Sequence, residues 1–176
     1  FPEGQFVAGQ GGRVVGAASS LVVLWDDYGV DHTWQGVTGD GTFRTHDPSG
    51  RTLYGAEIVV DARRRGLGIG RALYQARRAL CRGRNLRRII AAGRLPGYRD
   101  VKDVMSPELY AMRVIWGDIA DPVLRFQLSE GFQYCGVIHN YLPEDVPSCG
   151  HAALIAWLNP RYAPANPLAG TLRSVP

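Results

Sequence analysis

The stretch from Leu53 to Leu80 reads LYGAEIVVDARRRGLGIGRALYQARRAL. An apolar run ends at Val60, glycines alternate at Gly66, Gly68 and Gly70, and Ile69, Leu73, Ala76 and Leu80 then recur at helical spacing. This order predicts a buried central strand, a glycine-rich turn and an amphipathic helix, with Arg71, Gln75, Arg78 and Arg82 away from the apolar stripe and Gly83 as the stop. A strand that feeds a crossing helix confines the chain to mixed α/β folds.

The flanking sequence fits that frame. Gln5–Gly9 and Arg13–Trp25 read as a hairpin turned by Gly11-Gly12. Residues 26–52 carry the turn signals DDYG, TGDG and HDPSG and read as one long loop, a length that is usually functional. LRRIIAAG is a further strand. SPELYAMRVIWG opens a helix with Ser106 as cap and Pro107 at its first position, and DPVLRFQLSEGF repeats the device with Asp121 and Pro122, ending at Gly131. FQYCGVIHNYL and GHAALIAWL close the sheet. Residues 161–176, rich in proline, read as a tail or linker outside a domain of residues 1–160.

Composition narrows the function classes. The 176 residues are 45% hydrophobic and 20% charged, as in ordinary globular proteins, and no apolar run approaches the ~18 residues of a membrane span. Cys81, Cys135 and Cys149 lack CxxC spacing, and His32, His46, His139 and His151 lack ligand spacing, so no metal site is expected. Reduced thiols and the absence of a signal peptide point to the cytoplasm, although Phe1 in place of an initiator methionine leaves the natural start open. Eleven arginines lie between Arg63 and Arg94, with no Asp or Glu from Ala62 to Arg99. A block of one sign suggests an anionic partner.

The glycine turn suggests where that anion sits. A helix N-terminus offers unpaired N–H groups and roughly half a positive charge, and glycine lets a phosphate approach the backbone. A P-loop needs Lys-Ser/Thr after its last glycine, but Arg71-Ala72 follow Gly70. The dinucleotide fingerprint needs a third glycine at residue 71 or 73, occupied by Arg71 and Leu73, and an acid about 20 residues on, which is absent. What remains is Arg-x-x-Gly-x-Gly, here Arg65-Gly66-Leu67-Gly68-Ile69-Gly70, behind a strand ending Val59-Val60.

That pattern resembles the coenzyme A signature of the GNAT superfamily of N-acetyltransferases, and the resemblance extends over about residues 5–158 through the strand before, the helix after, LRRII, LRFQLSEGF and the closing hairpin. FPEGQFVA, ASSLVVLWDDY, GDGTFRTHDPSG, LYGAEIVV, GRLPGY, NYLPED and AWLNPRY are similar to one bacterial GNAT group whose members occur alone or fused to a nitrilase-type carbon–nitrogen hydrolase. The resemblance implies a mixed, mostly antiparallel sheet flanked by helices, with the strand and two helices that usually begin the fold not in this sequence. It implies acetyl-CoA as co-substrate, held by Ile58, Val59, Val60, Arg65, Gly66, Leu67, Gly68, Ile69, Gly70 and Arg71, the glycine-turn amides taking the pyrophosphate. The tyrosine that many members carry four residues before the Gly-Phe junction, as acid for the leaving thiolate, is Gln127 here.

Acyl transfer to an amine needs a placed thioester, a base, an oxyanion donor and a proton for the thiolate. The candidates are Glu57 as base, a backbone N–H near Val59 or Val60 as oxyanion donor, and Tyr98 as acid, with Tyr110, Tyr134 and Tyr141 left open. Trp34, His46, Tyr54, Tyr98, Tyr110 and Trp116 lie in segments able to wall an acceptor pocket. The expected acceptor is a small-molecule or peptide primary amine; a membrane and nucleic acid are not expected partners, and a homodimer is left open. The alternative is a catalytically weak acyl-CoA-sensing module that regulates a fused or partner enzyme.

Overall fold

The structure is a computed structural model, and residues 1–164 are described. Residues 165–176, most of the segment read as a tail, lie outside the described residues. The start of that segment lies along the body: Asn85 exchanges two hydrogen bonds with the Ala163 backbone, and Arg51 donates to the Tyr162 hydroxyl at 2.8 Å.

Among the described residues six strands form one sheet in the order β1-β2-β3-β4-β6-β5. They are β1 (Gln5–Gln10), β2 (Arg13–Val23), β3 (Thr52–Val60), β4 (Arg88–Arg94), β5 (Gln133–Ile138) and β6 (Ala152–Leu158). Every neighbouring pair is antiparallel except β3 and β4, whose parallel pairing requires a crossover. The long helix α2 (Ile69–Gly83) supplies it. The mixed, mostly antiparallel sheet that the resemblance implies is therefore present.

Two side-chain layers cover the sheet, and strand alternation sorts residues between them. Leu53, Ile89, Ala91 and Ile155 face one way, toward Tyr74 and Cys81 of α2 and toward α3 (Pro107–Trp116) and α4 (Leu124–Ser129). Leu21, Val23, Tyr54, Ile90 and Leu154 face the other way. That second layer is closed by the segment read as a long loop. The segment contains a one-turn helix, α1 (Trp34–Thr38), capped by Thr33, whose hydroxyl accepts from the Gly36 amide. It buries Val37 and Thr38, and backbone bonds from Trp34 to Tyr141 and from Asp47 to Val22 tie it down.

The helix ends follow local chemistry. Ser106 caps α3 by accepting from the Leu109 amide, with Pro107 at the first position. Asp121 accepts from Val123 and Leu124, so it serves the start of α4, which begins two residues later than the Asp-Pro pair suggests. Gly83 is the last helical residue of α2 rather than the stop beyond it; Arg84 takes that place. No helix among the described residues is long and apolar enough to cross a membrane.

Candidate active site

The parallel pair β3–β4 holds only from Thr52–Arg88 to Gly55–Ala91. Beyond it β3 stays with β2 as far as Val60, while β4 stays with β6 as far as Arg94. A wedge therefore opens between residues 56–60 and 92–94. Its apex carries a bulge: Ser19 pairs with Glu57 and Ser20 with Gly55, leaving Ala56 as the extra residue. A bulge raises local twist and bends its strand, which turns β3 away from β4.

Arg77 holds this bend. The side chain is among the largest that are fully buried, and it donates to the Ser20 hydroxyl at 3.0 Å, to the Ser19 carbonyl at 2.8 Å and to the Glu57 carbonyl. Its guanidinium also lies 5.7 Å from the centre of the Tyr74 ring. In the sequence Arg77 is one of the eleven arginines of the one-sign block, with no sign of burial. Yet the buried face of α2 centres on Leu73, Tyr74, Arg77 and Cys81. The bulge frees backbone carbonyls that satisfy the guanidinium, and this offsets a burial that would otherwise be prohibitive. Burial lowers the Arg77 pKa from its ordinary value.

The glycine turn lies between β3 and α2. Gly66 and Gly68 have φ of +78° and +80°, and a Cβ at either would meet no atom within 4 Å. Backbone conformation, not crowding, demands glycine there. Gly68 is the N-cap of α2, and no side chain caps its first turn, so the orphan N–H groups face outward. Ala8, Gly9, Gln10, Val15, Leu67, Gly68, Ile69 and Ala72 line a shallow concavity of about 290 Å³ beside the turn.

The arginine block divides by use. Arg71 and Arg78 both grip the Glu130 carboxylate, at 2.9 and 3.0 Å. Arg84 pairs with Glu3 at 2.8 Å, Arg94 pairs with Asp145, and Arg82 lies over the Trp157 ring. Arg63, Arg64 and Arg65, which precede the turn, form no ion pair among the described residues. Arg71, expected on the cofactor, is thus engaged elsewhere, by an acid 59 residues away in sequence.

The remaining predicted residues separate onto two faces of the wedge. Ile58 packs toward α2, whereas Val59, 60% exposed, lies across from Ala17 and Val7. Glu57 is exposed at the wedge, and its carboxylate makes no ion pair among the described residues. Tyr98 is buried; its hydroxyl donates to the Met105 carbonyl at 3.2 Å and its ring sits between Tyr110 and His151. The hydroxyl expected to protonate the thiolate thus donates to a backbone carbonyl. Tyr110 donates to Asp121. His46 accepts from the Val22 amide and stacks on Phe1, and Trp116 is 63% exposed at the end of α3. These three belong to helix junctions and edges.

The hydrogen bonds that line the wedge were not foreseen. On the helix side the Gln127 amide lies where a Cβ on Gly93 of β4 would be, donates to the Tyr74 hydroxyl at 3.3 Å, and leaves its own buried Oε1 without a partner. On the opposite side Trp34 donates from Nε1 to the Ala56 carbonyl at 3.2 Å. There Tyr54, Tyr141 and His32 form a buried line of hydrogen bonds. Of these, Trp34 and Tyr54 were among the expected pocket walls, Tyr141 among the tyrosines left open, and Gln127 marked by its place before Gly131-Phe132; His32 carried no signal of its own. Among the described residues no group of three or more His, Cys, Asp or Glu side chains is placed to hold a metal ion.

Comparison with known proteins agrees with this geometry. The profile of the acetyltransferase (GNAT) family matches residues 1–100. YhcX of Bacillus subtilis, named a probable hydrolase, is 43% identical over 164 residues, covering 93% of this chain and 32% of YhcX. The chain thus spans about a third of that relative's length. YkwB of the same organism, an N-acetyltransferase by name, is 36% identical over 166 residues, covering 94% of this chain and 73% of YkwB. Among solved structures, the GNAT-like decarboxylase GphF in complex with isobutyryl-CoA superposes with a TM-score of 0.73 at 23% identity, covering 90% of this chain and 79% of that one. The wedge, the glycine turn and the sequence kinship agree: the chain belongs to the acetyltransferase (GNAT) family.

Proposed function

We propose that the protein transfers an acetyl group from acetyl-CoA to a primary amine within a ternary complex. One observation carries the reading: the parallel strands part at Ala56, and the same βα unit continues into an uncapped helix N-terminus beside three unpaired arginines. The residues fit coenzyme A. The amides after Gly66 and Gly68 and the side chains of Arg63 to Arg65 suit a pyrophosphate. The edge of β3 beyond Gly55 has lost its β4 partner and can pair with a pantetheine arm. Coenzyme A supplies the activated thioester; the protein supplies alignment, an acceptor for the amine's proton and N–H donors at the strand edge.

Glu57 is the base in this reading. Arg77 bonds the Glu57 backbone carbonyl and not its carboxylate, which stays open to solvent or substrate. A small-molecule or peptide amine is the proposed acceptor. The internal pairing of Arg71, Arg78, Arg84 and Arg94 argues against a nucleic-acid partner, because those charges are already matched. The free, exposed thiol of Cys135 suits a reducing compartment such as the cytoplasm.

The test is CoA release from acetyl-CoA with a panel of primary amines and amino-terminal peptides, repeated with isobutyryl-CoA because GphF binds it. Amine-dependent release with matching N-acyl product supports the reading. Tight acyl-CoA binding with no amine-dependent release would defeat it.

A further inference from the structure

We infer that Tyr141, Tyr54 and His32 form a proton relay whose open end, the Tyr141 hydroxyl, serves the acceptor side of the wedge. The inference rests on the acyl-transfer reading and deepens it.

The direction follows from hydrogen-bond chemistry. His32 Nδ1 lies 3.2 Å from the Gly29 carbonyl, which can only accept, so Nδ1 carries the hydrogen. In the neutral ring Nε2 is then a bare acceptor, and the Tyr54 hydroxyl, 2.7 Å away, donates to it. The Tyr54 oxygen in turn accepts from Tyr141 at 2.9 Å. Both hydroxyl hydrogens thus point inward, and the outer lone pair of the Tyr141 oxygen is left to receive a proton.

The open end is in the right place. Tyr54 lies at the apex of the wedge, in the last stretch where β3 still pairs with β4. Tyr141 shares one side-chain cluster with Ala56 and Ala92, the first residues of the two diverging strands. Trp34 binds both parts, its backbone amide donating to the Tyr141 carbonyl and its indole to the Ala56 carbonyl. The ionised groups that act on the line are Glu57, near Tyr141, and Asp31, near His32. Trp25 adds only its ring, edge-on to His32.

Packing alone does not account for this arrangement. Tyr54, Tyr141 and His32 are 0%, 4% and 6% exposed in an otherwise apolar layer, where phenylalanine would pack without a polar group to satisfy. Burial lowers the His32 pKa below its ordinary value of 6.5, so the imidazole is neutral and its Nε2 lone pair available at neutral pH.

The step balances without an outside reagent. Glu57 first takes one proton from the substrate ammonium and later yields it to solvent; the freed amine lone pair attacks the thioester carbonyl carbon and the C–N bond forms. The surplus proton on nitrogen passes to Tyr141 as Tyr141 gives its own to Tyr54 and Tyr54 gives its own to His32 Nε2. The C–S bond breaks with its electron pair on sulfur, and the reverse shift along the line returns one proton to sulfur. Tyr141 is the catalytic residue; Tyr54 and His32 are positioning residues that act through it.

Tyr54→Phe removes one hydroxyl and keeps the ring, so it cuts the line in the middle. The expected result is a fall in kcat of at least about tenfold with the acetyl-CoA KM and dissociation constant unchanged. The part of the acid limb of the wild-type kcat–pH profile that comes from His32 charging and blocking the line should be lost. Tyr141→Phe should do the same, and it decides the matter if Tyr54→Phe does not fold. Wild-type kcat and pH profile in a folded variant would overturn the relay while leaving acyl transfer standing. Failure of the wild-type protein itself to acylate any amine, despite binding acetyl-CoA, would instead overturn the acyl-transfer reading and the relay with it.

Discussion

The Arg77 guanidinium fills the space in which Gly55 would carry a side chain: a Cβ on Gly55 would come within 3.0 Å of Nη1 and 3.2 Å of Cζ. The glycine at the end of the parallel pairing and the buried cation beneath it are therefore one device. Arg77→Leu would leave the Ser19 and Glu57 carbonyls and the Ser20 hydroxyl without their donor. At about 1–3 kcal/mol per buried group left unpaired, the expected loss is about 3 kcal/mol or more. Arg77→Lys should recover only part of it, because an ammonium lacks the planar fork. Denaturant midpoints measure this; a Leu variant within about 1 kcal/mol of wild type would show the brace to be dispensable.

Glu130 gives the fold an acid-sensitive contact. Burial acts to raise its carboxyl pKa, but hydrogen bonds from Arg78 and Arg71 outweigh burial and hold it below the ordinary 4.5. A depressed folded-state pKa contributes stability above the unfolded value, and that stability is lost as pH falls through the folded one. Wild-type Tm should thus drop more steeply than that of Glu130→Gln below about pH 4.5. The two slopes in a thermal scan series check it, and parallel slopes would mean the carboxylate contributes nothing in the folded state.

Glu57→Gln keeps shape and removes the base. Turnover at pH 7 should fall by ~10²–10⁴ with acetyl-CoA affinity nearly unchanged. A variant with intact rate and pH profile would make Glu57 structural.

What the sequence reveals depends on whether the governing contact is local. The Ser106–Pro107 cap, the Gly66–Gly68 turn and the succession of strands and helices along the chain were legible because each rests on neighbours in the chain. Arg77 was not, because its acceptors belong to a bulge in strands that only the fold brings over α2. The ion pairs within the arginine block were hidden for the same reason: the acid that Arg71 and Arg78 share is Glu130, on the far side of β4 in sequence. Tyr98 suited a thiolate acid by its place after β4, but the turn that follows folds it onto Met105. The helix Trp34–Thr38 was hidden by its length, since one turn carries no periodicity.

Arginines should differ by position. Arg65→Ala, at the turn, should weaken acetyl-CoA binding by about 1–2 kcal/mol if a charged hydrogen bond is lost. Arg82→Ala should change nothing, since Arg82 lies roughly 18 Å along α2 from Gly70, beyond the ~8 Å screening length. Equal losses in the two variants would mean that the block acts as a diffuse field.

Calorimetric titration of acetyl-CoA into wild-type protein, Gly68→Ala and Gly68→Asp decides whether the glycine turn holds coenzyme A. Gly68 sits at φ +80° with open space around it, so alanine meets strain of about 1–2 kcal/mol and no clash. Aspartate adds to that strain a negative charge at the phosphate position. Binding is expected in the wild type, weaker binding in Gly68→Ala, and none in a folded Gly68→Asp. Wild-type affinity in folded Gly68→Asp would contradict that expectation and move coenzyme A off the glycine turn.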